Sequence, residues 1–259
     1  IAKLRLFLTL VASAETVDQL EPLPNIDFNI MAGNSLIGLL QVSESDYDAQ
    51  YKDQSKLFTI KYSEILAEKN RQIKSYRTTA SWGSDLRLLR NSITERKRKD
   101  YAVLNEILGQ RFAERGIEFE ETRWDDKKNK PKASVSRALK LQDIENLHPF
   151  HWGYEFDTIM NDRGGFDAVI TNPPWEIYKP NGKEFFEEYV ELVTRKKMTI
   201  KEVEKERSQI LQDADTRKAW LKYLSSCPHV SAYFRSEDQF KNQHSIVNGK
   251  KAGYCPTFS

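Results

Sequence analysis

Four consecutive residues in the second half of the chain, Asn172-Pro173-Pro174-Trp175, follow directly on the short apolar run 166–171. The two prolines lack a backbone N–H, so this segment offers carbonyl acceptors with few competing donors. Asn172 adds a side-chain carbonyl and Trp175 adds a flat aromatic face. Two acceptors beside such a face suit an amino group on a planar base. Stacking contributes about 1–3 kcal/mol per base, similar in size to the few kcal/mol that extruding a base costs.

The elements that must position these residues are apolar segments on both sides of a long charged region. The run 166–171 predicts a buried strand, and ligands of open α/β sheets bind beyond the carboxyl ends of strands. Residues 26–31 alternate apolar and polar types, which predicts a second strand that Gly33-Asn34-Ser35 ends. Residues 1–16 predict a helix apolar enough to pack on a sheet or be buried on two sides.

Residues 43–147 have a different character, because charges are dense and apolar residues fall at helical spacing. We expect two or three long amphipathic helices here, with a loop over 116–133. Residues 183–225 predict further helix, opened by a capping box at Thr199, and residues 236–259 predict a loop. The organisation is therefore one α/β domain, with core segments 1–42 and 148–182, a helical insertion 43–147 and an extension 183–259.

Composition excludes several classes of protein. The 259 residues hold 40 Lys and Arg against 38 Asp and Glu, a net charge of +2, which excludes a uniformly basic nucleic-acid binder. Two cysteines are too few for a disulfide scaffold and favour reduced cytosol. Arg5 interrupts the longest apolar stretch, so we expect no membrane span. The first residue, Ile1, is not Met, which predicts a piece of a longer polypeptide, and no glycines are spaced as G-x-G.

The tetrapeptide after its apolar run resembles the N-P-P-[Y/F/W] motif of amino-group methyltransferases that use S-adenosylmethionine. Residues 22–39 (PLPNIDFNIMAGNSLIGL) and 148–175 (HPFHWGYEF…GGFDAVITNPPW) resemble the adenine-specific DNA methylases of large restriction–modification polypeptides, including type IIG and related phage-defence enzymes. The order and joint presence of the two segments make this resemblance specific. It implies a partial Rossmann-like methyltransferase sheet that is interrupted by the helical insertion.

The resemblance also implies roles for individual residues. Asn172 and the carbonyl of Pro173 would bind the amino group of an adenine flipped out of double-stranded DNA, with Pro174 completing the motif. Trp175 would stack on that base. Asn34 and Ser35 would lie against the adenine of the cofactor S-adenosylmethionine, where the wider superfamily commonly has an acidic residue.

One departure from the family is large. The glycine-rich cofactor loop of D-P-x-x-G-x-G type is absent and would lie upstream of Ile1, as would the acidic residue that binds the cofactor ribose. We therefore expect an incomplete cofactor site and no activity for this fragment alone. Its partners would be double-stranded DNA and the missing N- and C-terminal parts of the same polypeptide, with no membrane, in the cytoplasm.

Alternatives remain open at each of these points. The chain is also compatible with a methyltransferase acting on a protein glutamine amide, or with a non-catalytic DNA-binding or scaffold fragment. Asn34 suits an Asx turn as well as a cofactor contact. The basic run 96–99 suits either DNA phosphate or a solvated helix face. His148 and His151 lack a ligand set for a metal, so we predict polar members of an aromatic core.

Overall fold

The structure, a computed structural model, describes residues 2–13, 16, 28–50, 61–78, 84–171, 180–187, 207–247 and 250–254. The chain forms two compact units. The first comprises residues 1–110 and 141–168, and the second comprises residues 111–140 and 169–259. The boundaries of these units differ from those predicted from the sequence, which divide the chain into 1–42, 43–147, 148–182 and 183–259. The predicted division stays a prediction.

The first unit is built from helices. In chain order they are α1 (Ala2–Ser13), α2 (Glu44–Gln50), α3 (Tyr62–Thr78), α4 (Ser84–Glu114, which belongs to this unit as far as residue 110), α5 (Leu141–Glu145) and α6 (Trp152–Glu155), followed by a π-helical turn at Thr158–Asp162. The long helices α3 and α4 confirm the prediction for the charged region. Their buried side chains repeat at helical spacing: Tyr62, Ile65, Lys69 and Tyr76 on α3, and Ile93, Asp100, Leu104 and Leu108 on α4.

The predicted N-terminal helix is present as α1, but the prediction that it would pack on a sheet or be buried on two sides is wrong for the side chains that the structure describes. Leu4, Leu6, Leu8 and Val11 are between 38% and 59% exposed. Helical periodicity identifies an apolar face without specifying what covers it. The described residues cover little of this face.

The two strand predictions near the site are also wrong for the residues that the structure describes. Residues 28–30 form a turn, and the pairing in this region is a single parallel bridge between Asn34 and Pro149. Residues 166–171 are irregular, with Val169 73% exposed and Ile170 99% exposed. A strand is stabilised by its neighbours, and no described segment pairs with this run.

The second unit contains the described sheets, each with two antiparallel strands. Strand β1 (Phe119–Glu121) pairs with β4 (Val135–Arg137), and β2 (Trp124–Asp125) pairs with β3 (Lys130–Pro131) inside that hairpin. The loop predicted over 116–133 is therefore wrong. Asp125 Oδ1 accepts from the backbone N–H groups of Lys127 (3.0 Å) and Lys128 (3.2 Å), so the charged run forms the hairpin turn.

The C-terminal part of the second unit combines helices with another hairpin. Helices α7 (Gly182–Glu187) and α8 (Ala214–Ser226) confirm helical structure between 183 and 225 where it is described, and α9 (Pro228–Ser236) follows beyond that range. The predicted capping box at Thr199 lies outside the described residues. Strands β5 (His244–Val247) and β6 (Lys250–Tyr254) pair antiparallel, so the loop predicted for this end is wrong.

The core of the second unit is aromatic. Phe112 stacks on Tyr233 with ring centroids 4.5 Å apart, and Phe234 meets Phe240 edge to face at 5.0 Å. Another buried cluster joins Phe186, Leu211 and Trp220. Helices and small sheets together confirm an α/β composition. The described residues do not form a parallel sheet, so a partial Rossmann-like sheet stays a prediction.

Candidate functional site

The two segments that carry the family resemblance lie side by side in the first unit. The backbone N–H of Asn34 donates to the carbonyl of His148 at 2.7 Å, and Asn34 bridges to Pro149 in parallel orientation. Further along, the N–H of Phe150 donates to the Ile37 carbonyl at 2.7 Å. Residues 113 or more positions apart in the sequence are thus hydrogen-bonded at the predicted cofactor end of the site.

The side chain of Asn34 forms an Asx turn, which is one of the two roles that the sequence suggests for this residue. Its Oδ1 accepts from the backbone N–H of Leu36 at 3.1 Å, and its carbonyl accepts from the N–H of Ile37 at 3.1 Å. Ser35 is exposed and its carbonyl accepts from Trp152 Nε1 at 3.0 Å. The turn fixes the Asn34 amide at one position, and a cofactor contact by Asn34 or Ser35 stays a prediction.

Close backbone approach between the two segments depends on Gly38. This residue has φ +150°, and a Cβ there would lie 2.0 Å from the carbonyl oxygen of Phe150. The hydrogen bond from Phe150 N–H to Ile37 prevents an easy shift of either backbone. Glycine is therefore required at the place where the segment GNSLIGL packs against HPFHWG.

Gly38→Ala is expected to destabilise the protein by about 3 kcal/mol, because the added methyl group overpacks a backbone contact. Gly109→Ala is the matched control, since the nearest atom to its Cβ is 3.6 Å away on Ile144 and the residue lies within α4. That control should be neutral or stabilising by about 0.5–1 kcal/mol. Urea unfolding of both variants measures the difference. Equal unfolding free energies for the two would contradict the packing described here.

A cavity of about 640 Å³ lies beside Asn34, within the first unit. Its lining residues are Ala32, Gly33, Asn34, Tyr101, Asn105, Glu145, Leu147, His148 and Pro149. Ligand sites of proteins commonly have about 300–1,000 Å³, and this volume lies within that range. The lining offers amide groups, a carboxylate and an imidazole, which match the mixture of donors and acceptors on an adenosine group.

Sequence reasoning missed the contribution of helix α4 to this cavity. Tyr101 and Asn105 are one helical turn apart, so they lie on the same face of α4, and both line the cavity. The sequence predicts this helix as part of the insertion and assigns it no residue of the site. A signal was present in the sequence, because Asn105 is a polar residue beside Leu104 and Leu108 on the apolar side of the helix.

A buried polar network joins α3 and α4 to the segment that follows the cavity. Lys69 Nζ, 1% exposed, pairs with Asp157 Oδ1 at 2.9 Å and also donates to the Tyr154 carbonyl. The Tyr154 hydroxyl donates to Asp100 Oδ2 at 2.7 Å. Burial lowers the pKa of Lys69, which Asp157 opposes, and burial raises the pKa of Asp100.

Glu155 receives two further contacts from α4. Lys97 Nζ lies 2.7 Å from its carboxylate, and the Tyr101 hydroxyl donates to it at 2.9 Å. Burial raises the pKa of Tyr101. These contacts place the segment 154–157 firmly on the two long helices.

Most of the basic run 96–99 is engaged by acidic partners within the protein. Arg96 pairs with Asp100 at 3.8 Å, Lys97 with Glu155, and Arg98 with Glu95 at 2.7 Å. Partnered side chains are less available to DNA phosphates, so this geometry favours the solvated and partly buried helix face over a phosphate contact.

His148 and His151 differ in burial. His151 is fully buried and meets Tyr101 with ring centroids 5.0 Å apart, which confirms its prediction as a member of an aromatic core. His148 is exposed with φ +50°, so the core prediction is wrong for it. No group of three possible ligands among the described residues could hold a metal ion, and no described helix is long and apolar enough to cross a membrane.

The predicted catalytic motif Asn172, Pro173, Pro174 and Trp175 lies outside the described residues. On the N-terminal side of the motif, the described residues end at residue 171. Phe166 packs edge to face on Trp152 at 5.8 Å and on Phe156 at 5.1 Å. Asp167 is exposed and pairs with Arg163 at 2.5 Å.

Comparison with known proteins gives two matches. A sequence model of the family "Eco57I restriction-modification methylase" matches residues 1–208. A protein of Methanocaldococcus jannaschii whose name describes a type II restriction enzyme and methyltransferase is 26% identical over 220 residues, which are 71% of this chain and 18% of that protein. The chain thus spans about a fifth of the length of this relative. No solved structure matches the chain. Since the family match covers four fifths of the sequence, the chain belongs to the Eco57I restriction-modification methylase family.

Proposed function

We propose that this chain is the core of an enzyme that transfers a methyl group from S-adenosylmethionine to the N6 amino group of adenine in double-stranded DNA. The full-length enzyme would serve restriction–modification or phage defence in the cytoplasm. The observation that carries the proposal is the pairing of the two family-like segments at Asn34 and Pro149, beside a cavity of nucleoside size. The motif Asn172–Trp175 follows the second of these segments in the sequence.

In this proposal the motif residues hold and orient the acceptor base. The Asn172 side-chain carbonyl and the Pro173 carbonyl accept the two N–H groups of the adenine amine, which draws its nitrogen toward a tetrahedral geometry. Pro174 keeps the backbone extended, and Trp175 stacks on the flipped base. When bound, the cofactor supplies an electrophilic methyl group. None of the four residues is a nucleophile, so no covalent enzyme intermediate is involved.

The cofactor's adenosine part would occupy the cavity that Asn34 lines. Ser35, which is not among the lining residues, would contact the cofactor from the next position in the chain. Asn34 and Glu145 supply polar atoms there, and the volume of about 640 Å³ suits a nucleoside. The remainder of the cofactor site would come from the parts of the polypeptide that carry the glycine-rich loop. The segments 1–42 and 148–182 would form the methyltransferase core, with 43–147 as its insertion and 183–259 as its extension.

Asn34→Ala is expected to weaken binding of S-adenosylhomocysteine to the full-length protein about tenfold, the effect of losing one good polar contact. Asn34→Asp should bind within a few-fold of the wild type, because a carboxylate still accepts from Leu36 N–H and still presents an acceptor. Titration calorimetry measures both. The control is Asn91→Ala, a change of the same kind on the exposed side of α4. Unchanged affinity in Asn34→Ala would contradict a cofactor contact at this residue.

A methyltransferase for protein glutamine amides is the second candidate, because such enzymes use a similar motif. The 138 positions between Asn34 and Asn172 favour the DNA-modifying class, since a single crossover helix needs far fewer. A non-catalytic DNA-binding or scaffold role is the third. Incubation of the full-length protein with labelled S-adenosylmethionine, DNA and protein separates them. Label in DNA supports the proposal, and label in protein alone, or in neither, contradicts it.

A further inference from the structure

A buried amide from the helical insertion lines the cavity beside Asn34. Asn105 lies on α4, is 6% exposed and contributes to the cavity wall together with Tyr101. All of these residues belong to the first unit. Polar side chains are seldom buried without a partner, so the orientation of this amide indicates what the cavity can bind.

His151 determines that orientation. The backbone N–H of Leu39 donates to His151 Nδ1 at 3.3 Å. A neutral imidazole that accepts at Nδ1 carries its hydrogen on Nε2. His151 Nε2 lies 3.0 Å from Asn105 Oδ1, so this nitrogen donates and the amide oxygen accepts. The amide is therefore fixed with its oxygen on His151.

The other end of the amide is the Nδ2 group with two N–H donors. Among the described residues no hydrogen bond engages this nitrogen, whereas Oδ1 is held by His151. This nitrogen is not one of the buried side-chain atoms that lack a hydrogen-bond partner, so it reaches the open space of the cavity that Asn105 lines. Whatever occupies the cavity can therefore supply its acceptor.

We infer that Asn105 is a cofactor-binding residue, whose Nδ2 donates to a ring nitrogen of the cofactor's adenine, with His151 as the residue that positions it. The inference rests on the proposed function, which places the cofactor's adenine beside Asn34 in the same cavity. The ring nitrogens of adenine are acceptors and match the Nδ2 donors. The helical insertion would then build part of the cofactor site as well as separate the two core segments.

The experiment uses titration calorimetry of the full-length protein with S-adenosylhomocysteine at mildly alkaline pH. Asn105→Asp keeps an oxygen for His151 Nε2–H and replaces the Nδ2 donor by an acceptor. We expect an affinity loss on the order of tenfold or more. Asn91→Asp, the same change at an exposed position of the same helix, should leave the affinity unchanged. Affinity of Asn105→Asp within twofold of the wild type overturns the inference.

A second measurement identifies the ring nitrogen that accepts from Asn105. Analogues of S-adenosylhomocysteine in which ring position 1, 3 or 7 of adenine is carbon each lack one acceptor. The wild type should bind one of the three about tenfold more weakly than the parent compound, and Asn105→Asp should bind that analogue and the parent equally. The inference is overturned if the wild type binds all three analogues equally well. It is also overturned if Asn105→Asp discriminates against the weakly bound analogue as strongly as the wild type does.

The role of His151 has its own test. His151→Gln retains a donor and an acceptor for Asn105 and Leu39, whereas His151→Phe retains neither. At equal melting temperature, tighter cofactor binding by the Gln variant than by the Phe variant supports positioning through the hydrogen bond. Equal affinities of the two variants contradict it.

If the wild type binds no S-adenosylhomocysteine at all, the proposed function itself fails. Normal wild-type binding with an unaffected Asn105→Asp leaves the proposed function standing and rejects the inference alone.

Discussion

Asn172→Ala in the full-length protein is expected to lower the rate of methyl transfer to DNA by at least about 100-fold. Removing one preorganised polar group from a site where charge develops costs about 10²–10³ in rate. In the proposed site the Asn172 carbonyl accepts one of the two N–H groups of the adenine amine, and no neighbouring residue of the motif can replace a side-chain carbonyl. Initial rates of label transfer to DNA measure the effect.

The Asn172 variant needs a control for folding and for binding. Asn91→Ala, a change of the same kind on an exposed helix face, should keep the wild-type rate. Binding of S-adenosylhomocysteine to Asn172→Ala should also be close to normal, because the proposed role of Asn172 is toward the acceptor base. A near-normal transfer rate in Asn172→Ala would contradict the assignment of the motif.

Asp157→Asn is expected to destabilise the fold by about 3–5 kcal/mol. The change leaves the ammonium group of Lys69, which is 1% exposed, without its carboxylate partner, and an unpaired buried charge has a cost of this size. Because burial lowers the pKa of Lys69, the variant should regain stability as the pH rises through that lowered pKa and the amine loses its proton. Urea unfolding over a range of pH measures both effects.

Two comparisons separate the charge effect from general damage to the core. The double variant Lys69→Met with Asp157→Leu should be much closer to the wild type in stability, because apolar residues of similar size often replace a buried ion pair at little cost. Arg71→Ala breaks the exposed pair with Glu68 and should cost about 0–1 kcal/mol. A loss for Asp157→Asn as small as that for Arg71→Ala would contradict the buried pair.

The helical insertion shows how much of the fold the sequence specifies. The spacing of Ile65, Ile93, Leu104 and Leu108 predicts α3 and α4 correctly, because a helix needs only its own local pattern and one apolar face. The function of α4 could not be predicted in the same way. The contact that orients Asn105 comes from His151, 46 positions later in the chain, and periodicity contains no information on such pairs.

Strands are specified less well, because their pairing depends on residues elsewhere. The run 166–171 has the composition of a buried strand, yet Ile170 is 99% exposed and no described segment pairs with it. The hairpin around Asp125 shows the opposite case. Its charged residues predicted a loop, and the side chain of Asp125 instead closes a tight turn between two short strands.

Only part of the candidate site could likewise be predicted from the sequence. The sequence predicts that segments 1–42 and 148–182 belong to one core, which stays a prediction. The hydrogen bond from Asn34 N–H to the His148 carbonyl was not predicted and came from the structure. The cavity and its Asn105 wall came only from the structure. Asn172–Trp175 and the cofactor contacts of Asn34 and Ser35 stay predictions.

The central claim is that this chain is the core of a DNA adenine-N6 methyltransferase. The most direct measurement is nucleoside analysis by mass spectrometry of DNA that has been incubated with the full-length protein and S-adenosylmethionine. We predict that N6-methyladenine accumulates with the wild type and stays at background with Asn172→Ala. Methylated cytosine in place of N6-methyladenine, or no modified base in the DNA, would contradict the account.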